Sequence, residues 1–192
     1  KFLMNIKDEL AYDLQVVGNH EYNFGLDYLK RAVDSSKIPT MSANILKEDG
    51  KPLYKPYTII EKKGIKIGIM ALTTQYIKNW ELEENIKGLK FISAKEVCEN
   101  YVDLIRDQVD LLVVCYHGGF EKDLYTREVL DTNEGENEGY DILKNVPGID
   151  LLLTGHQHRK IADIVDGAGV IQAGKFAEFV GKVDVEFDQD KN

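Results

Sequence analysis

All four histidines of this 192-residue chain fall inside three short motifs. His20 stands in Gly18-Asn19-His20-Glu21, and His117 in Cys115-Tyr116-His117-Gly118-Gly119. His156 and His158 share Thr154-Gly155-His156-Gln157-His158. Imidazole nitrogens and amide oxygens are ligands for borderline divalent cations, and a His/Asn mixture suits Mn, Zn or Fe better than a thiolate metal. The spacing of a tetrahedral structural zinc site is absent. Each motif follows a short apolar run, at residues 14–17, 111–114 and 151–153. In open α/β sheets, ligands gather outside the carboxyl ends of strands. Three strand ends delivering imidazole and amide to one edge therefore define a candidate metal site.

Each motif also has a plainer reading. Asn19-His20 alone is a polar turn after a strand, opened by Gly18, whose small size permits a tight backbone. Glu21 serves there to cap or orient the turn. His117 alone is a histidine satisfied at a strand end, and Gly118-Gly119 would let a substrate phosphate approach backbone amides. His156-Gln157-His158 is the strongest single piece, because two imidazoles two residues apart can face one centre or two neighbouring ones. The acidic run 131–141 reads as a solvated loop. Tyr76 and Trp80 read as packing, with a rim contact to a nucleobase as the functional option.

The elements that must position these residues follow from periodicity. Phe2, Leu3, Ile6 and Leu10 share one helical face. A strand at 14–17 leads into Asn19, and a helix over about 26–34 carries Leu26, Leu29, Ala32 and Val33. A short strand from Ile38 ends near Asn44, and residues 47–56 form a loop. Residues 57–61 and 65–72 predict a hairpin about Lys62-Lys63-Gly64. Residues 79–89 are a polar connector holding the only tryptophan. Ser93-Ala94-Lys95-Glu96 is a capping box that opens a helix to about Gln108. Strands follow at 109–115, 150–153, 170–172 and 180–187, with a short helix ending near Lys144. This alternation predicts an α/β layered sandwich.

Composition sets limits. The length suits one domain with a true core. A formal net charge of −9 argues against coating a nucleic-acid polymer. It does not exclude a small phosphorylated substrate, because bound cations can reverse the local field. No apolar stretch approaches the ~20 residues of a membrane span. Cys98 and Cys115 form no disulfide framework and are expected as a helical cysteine and a buried strand cysteine.

Taken together, Gly18-Asn19-His20-Glu21, His117-Gly118 and Gly155-His156-Gln157-His158 resemble the later motifs of the calcineurin-like metallophosphoesterases. The resemblance is closest to the branch of 5′-nucleotidases and 2′,3′-cyclic-nucleotide 2′-phosphodiesterases. Ser42-Ala43-Asn44-Ile45, Lys55-Pro56-Tyr57, Gly64-Ile65-Lys66-Ile67-Gly68-Ile69 and Val146-Pro147-Gly148-Ile149-Asp150 support it. The resemblance implies an α/β/β/α sandwich, here lacking its N-terminal part, and a dinuclear site of two divalent ions. Asn19, His117 and His156 would hold one ion and His158 the other, while His20 would protonate the leaving oxygen or stabilise charge on phosphorus. The 5′-nucleotidase form pairs its catalytic histidine with an Asp three residues on; here that position is Asn23, which resembles the cyclic phosphodiesterase form. Asn23 can orient His20 but carries no counter-charge. The implied reaction is metal-dependent hydrolysis of a small nucleotide, opening a 2′,3′-cyclic phosphate and then removing the 3′-phosphate. A 5′-nucleotidase is the nearest alternative, and a non-catalytic binding module is the alternative of another class.

The chain departs from the pattern at its start. The family's Asp-x-His and Gly-Asp motifs have no counterpart upstream of Gly18, and Asp8, Glu9 and Asp13 do not replace them. Residues 1–192 are accordingly expected to be an incomplete catalytic domain without its nucleotide-binding partner domain, with weak metal affinity and little turnover alone. The resemblance also implies an exported, periplasmic or cell-wall protein. Oligomeric state and base preference are left open.

Overall fold

A computed structural model describes residues 2–187, with side chains from residue 6 onward. The helical face expected of Phe2 and Leu3 lies partly outside the described side chains. In chain order the elements are α1 (Phe2–Glu9), β1 (Gln15–Val16), a 3-10 turn (Asn19–Tyr22), α2 (Leu26–Asp34), β2 (Thr40–Met41) and β3 (Ile45–Lys47). They continue with β4 (Tyr57–Lys62), β5 (Ile65–Thr73), α3 (Ile77–Trp80), β6 (Leu89–Phe91), α4 (Ala94–Ile105) and β7 (Leu111–His117). The last are α5 (Gly139–Asn145), β8 (Leu151–Thr154), β9 (Lys160–Val165) and β10 (Ala168–Ala173).

The main sheet has six strands in the order β4-β5-β7-β8-β10-β9. β5, β7, β8 and β10 run parallel, and an antiparallel strand closes each flank. The parallel strands are nearly continuous apolar runs, as expected of strands buried on both faces. Their register sets Thr73 beside His117 and Tyr116 beside Thr154, so the C-terminal ends form one edge. β1 pairs with β2 in a separate two-stranded sheet, and β3 with β6 in another. The architecture is the α/β sandwich expected.

α4 starts where the capping signal places it. The Ser93 hydroxyl accepts the Glu96 amide at 3.2 Å. Glu138 completes the cap from across the chain, accepting the Ser93 hydroxyl at 2.6 Å and the Ala94 amide at 2.8 Å. The helix buries Ala94, Val97, Cys98, Val102 and Ile105 in the main core with Leu112, Val114, Leu152 and Ile142. A second core gathers Val17, Tyr22, Leu29, Ile45, Ile77 and Phe91.

Two expectations about elements need correction. The stretch 180–187 is not a strand, although Val183 and Val185 alternate as one would. Alternation specifies a face only when a neighbouring ladder accepts the backbone, and Val180 stands 90% exposed. β9 replaces it in the sheet, pairing along its length with β10. The polar connector at 79–89 also holds more than loop: α3 ends in it and β6 begins in it. Among the described residues no helix is long and apolar enough to cross a membrane.

Candidate active site at the sheet edge

A buried polar layer lies beneath the edge. Asn44 and Thr73 are wholly buried. The Asn44 amide donates to the carbonyls of Thr73 (2.6 Å) and Ile92 (2.8 Å), and its oxygen accepts the Thr73 amide at 2.9 Å. The Thr73 hydroxyl donates to the Val17 carbonyl at 2.8 Å. The end of β1 is thereby tied to the end of β5, which brings the Asn19 turn to the edge where His117 ends β7.

Gly18 is required by proximity and not by a turn conformation. Its φ of −104° is open to any residue. A Cβ at this position, however, would sit 2.6 Å from Cε1 of the His117 ring. Glu21 holds the turn by accepting the Gly18 amide at 2.7 Å, the orienting role expected of it. With the backbone so close, His117 Nε2 meets Asn19 Oδ1 at 2.9 Å. Burial pushes the His117 imidazole down to about 4, helped by the neighbouring His156, His20 and His158. His117 is therefore neutral at physiological pH, with its hydrogen on Nε2 towards Asn19 and its lone pair on Nδ1.

The glycine pair after His117 does not present amides to a ligand. Gly119 donates to Asn137 Oδ1 at 2.6 Å, and Gly118 to the Tyr116 carbonyl at 3.0 Å. Gly119 is instead small because the Gln157 side chain fills the space a Cβ would need. Gln157 brackets Phe120, accepting its amide at 2.8 Å and donating to its carbonyl at 2.9 Å. This clamp and the Gly155 amide on the Gly118 carbonyl hold the histidine loop against β7. His156 (φ 66°) and His158 (φ 59°) both adopt left-handed backbone, a strain tolerated where the surroundings over-determine the loop.

Asn19, His20, Asn23, Ile77, Trp80, Glu81 and His156 line a cavity of about 260 Å³. His20 Nδ1 lies 2.9 Å from Asn23 Oδ1. The His117 and His156 rings are 5.6 Å apart, and the Trp80 ring lies 5.3 Å from that of His156. His156 Nε2 is 3.2 Å from Glu136 Oε1. His158 is exposed and outside this cavity, with its ring 6.3 Å from Phe176, although its charge is felt at His117.

Proteins of known structure share this arrangement of strands. The chain superposes on an assigned 5′-nucleotidase from Staphylococcus aureus, solved with alpha-ketoglutarate, with a TM-score of 0.86. It is 40% identical there, over 90% of this chain and 34% of that one. The calcineurin-like phosphoesterase YfkN of Bacillus subtilis matches in fold, with a TM-score of 0.76 at 23% identity over 90% of this chain and 57% of that one. In sequence, the 2′,3′-cyclic-nucleotide 2′-phosphodiesterase/3′-nucleotidase of Salmonella typhimurium is 31% identical over 94% of this chain and 31% of its own length. The chain is a homologue of bacterial nucleotide phosphoesterases. A 5′-nucleotidase of Vibrio cholerae is 27% identical over 93% of this chain and 36% of its own length. This phosphoesterase homologue thus spans about a third of the length of these two curated relatives. No protein-family model matches it.

The donors of the phosphoesterase homologue fit part of a divalent-metal shell. The 2.9 Å separation of His117 Nε2 and Asn19 Oδ1 is that of adjacent ligands on one octahedral ion, for bonds of about 2.1 Å. Among the described residues, no three His, Cys, Asp or Glu side chains close on one point. Two site residues carry no signal in the sequence. Glu136 lies in the acidic run expected to be a solvated loop, where Asn137 is in fact buried and Glu138 caps α4. Glu81 lies in the polar connector and accepts the Asn23 amide at 2.8 Å. Each meets its partner across a span of chain that no local pattern bridges.

Proposed function

We propose that this chain is a portion of the catalytic domain of a metal-dependent phosphoesterase acting on small nucleotides. The reaction would be that of a 2′,3′-cyclic-nucleotide 2′-phosphodiesterase with 3′-nucleotidase activity. One observation carries the reading: Asn19, His20, Asn23 and His156 surround a single cavity with His117 against Asn19. The span of about a third of these relatives supports a longer parent enzyme.

Asn19, His117 and His156 would hold one divalent ion of the Mn, Zn or Fe class, and His158 would contribute to a second. Such ions supply Lewis acidity and an acidified water. His117 is neutral, and would bind through Nε2 once the hydrogen that Nε2 shares with Asn19 Oδ1 has moved to Nδ1. His20 has its Nδ1–H engaged by Asn23, so as an imidazolium it would give the Nε2 proton to the departing ribose oxygen and be left as the neutral Nδ1–H form. Trp80 and Tyr76, whose rings are 4.9 Å apart, form an aromatic wall for the nucleoside. Export to the periplasm or cell wall belongs to the same proposal and rests on the resemblance.

The test is hydrolysis of 2′,3′-cyclic AMP, 3′-AMP and 5′-AMP with Mn²⁺ by the longer protein, beside the 192-residue chain, which is expected to turn over little. Preference for the cyclic and 3′ esters supports the proposal. Preference for 5′-AMP moves the assignment to the 5′-nucleotidase that the Vibrio cholerae relative is named for. No hydrolysis by the longer protein leaves a binding module.

A further inference from the structure

We infer that Glu81 is a positioning residue for His20, acting through the side-chain amide of Asn23. The inference rests on the reading of His20 as the proton donor proposed above. Asn23 Nδ2 lies 2.8 Å from Glu81 Oε2, and Asn23 Oδ1 lies 2.9 Å from His20 Nδ1. The far side of the carboxylate is fully engaged: Glu81 Oε1 accepts Asn85 Nδ2 at 2.8 Å and the Leu82 amide at 2.9 Å. Asn85 also donates to the Asn23 carbonyl at 3.3 Å, fixing the segment that carries Asn23.

The chemistry of these groups orders the chain of bonds. An ionised carboxylate only accepts. The Asn85 hydrogen bond, more than any other contact, holds the Glu81 carboxyl below its ordinary range, so it is ionised at neutral pH. Asn23 must then turn its NH₂ towards Glu81 and its oxygen towards His20. That oxygen can pair only with a hydrogen on Nδ1. Glu81 therefore selects the His20 tautomer in which Nε2 is the free nitrogen on the cavity side. An asparagine alone would leave this choice open, because its amide can flip and offer either group. Glu81 also restores, one residue further out, the negative charge that Asn23 lacks. In triads of this logic the outer carboxylate orients the imidazole, and loss of the correct tautomer costs orders of magnitude in rate.

The experiment reads the tautomer directly, in the metal-free chain. Ring ¹⁵N shifts of His20 are measured at pH about 9, where imidazoles are neutral. The wild type should show hydrogen on Nδ1. In Glu81→Gln, the glutamine NH₂ faces Asn23, the Asn23 amide flips, and His20 should move to the Nε2–H form. In the double variant Asn23→Asp with Glu81→Gln, the introduced carboxylate accepts from both neighbours and the Nδ1–H form should return. In the longer protein, kcat should fall by about tenfold or more in Glu81→Gln at little change in KM, and recover in the double variant. An Nε2–H wild type, or one tautomer shared by wild type and Glu81→Gln, overturns the inference. Unchanged turnover in His20→Ala, with the tautomers behaving as stated, instead overturns the role proposed for His20.

Discussion

Gly18 marks how tightly the residues of this site are set. The His117 ring occupies the space where any other side chain would begin. Gly18→Ala should displace that ring from Asn19 and cost about 1–3 kcal/mol by overpacking, read as a lowered urea midpoint. Glu136 acts on the other side, at 3.2 Å from His156 Nε2. Outer partners of ligating histidines fix ring orientation, so Glu136→Ala should weaken Mn²⁺ binding by about 10- to 100-fold in titration calorimetry. An unchanged affinity would remove Glu136 from the site. Trp80 is half exposed beside the cavity, and Trp80→Ala should raise KM for nucleotides by about tenfold with kcat held, as loss of about 1–3 kcal/mol of stacking implies. The histidines are legible in sequence because each motif follows an apolar run that must end at a sheet edge. Glu81 and Glu136 are not, because an acidic residue in a polar loop looks the same whether it meets water or an imidazole.

At the scale of elements, periodic segments are legible and contact-dependent ones are not. The helix expected at 26–34 is α2, with Asp27 in its first turn and Arg31 in its last, the arrangement the helix dipole favours. The hairpin about Lys62-Lys63-Gly64 is β4–β5, as expected. β9 has no counterpart in the sequence reading because one of its faces is solvated and its apolar residues, Ile161, Ile164 and Val165, keep no steady alternation. The tail at 180–187 alternates but has no ladder. Sequence pattern reports a face and is silent about the partner. Asn44, noted only for its motif, proves to be the tie between β5 and the segment leading into α4. Asn44→Ala leaves the Thr73 amide and two carbonyls unpaired in a buried place. It should cost about 2–3 kcal/mol or more in denaturant unfolding. A loss under about 0.5 kcal/mol, the usual span of a surface substitution, would show that the polar layer is not a structural tie.

At the scale of the molecule, the layered α/β fold is legible from alternation, and the strand order is not, because pairing between distant strands leaves no local trace. The same burial that makes the core governs its thiols. Cys98 in the core and Cys115, which the structure leaves partly exposed on β7 and not fully buried as expected, are unbridged, and desolvation pushes both up to about 12. Thiolate is the reactive form, so neither should be alkylated by iodoacetamide at about pH 8 in the folded chain, and both should react in urea. Rapid labelling of the native chain would show that the core opens readily. The strand order also has a consequence in time. β10 lies between β8 and β9, so the sheet is complete only when its last strand is made. Ribosomes add about 5–20 residues per second, and pairing between distant strands is slow. Asn19 therefore emerges about ten seconds before the β9–β10 hairpin that backs the His156 loop. During that interval the donors exist without a place to meet. Assembly of this edge is thus an event that follows synthesis of the last strand.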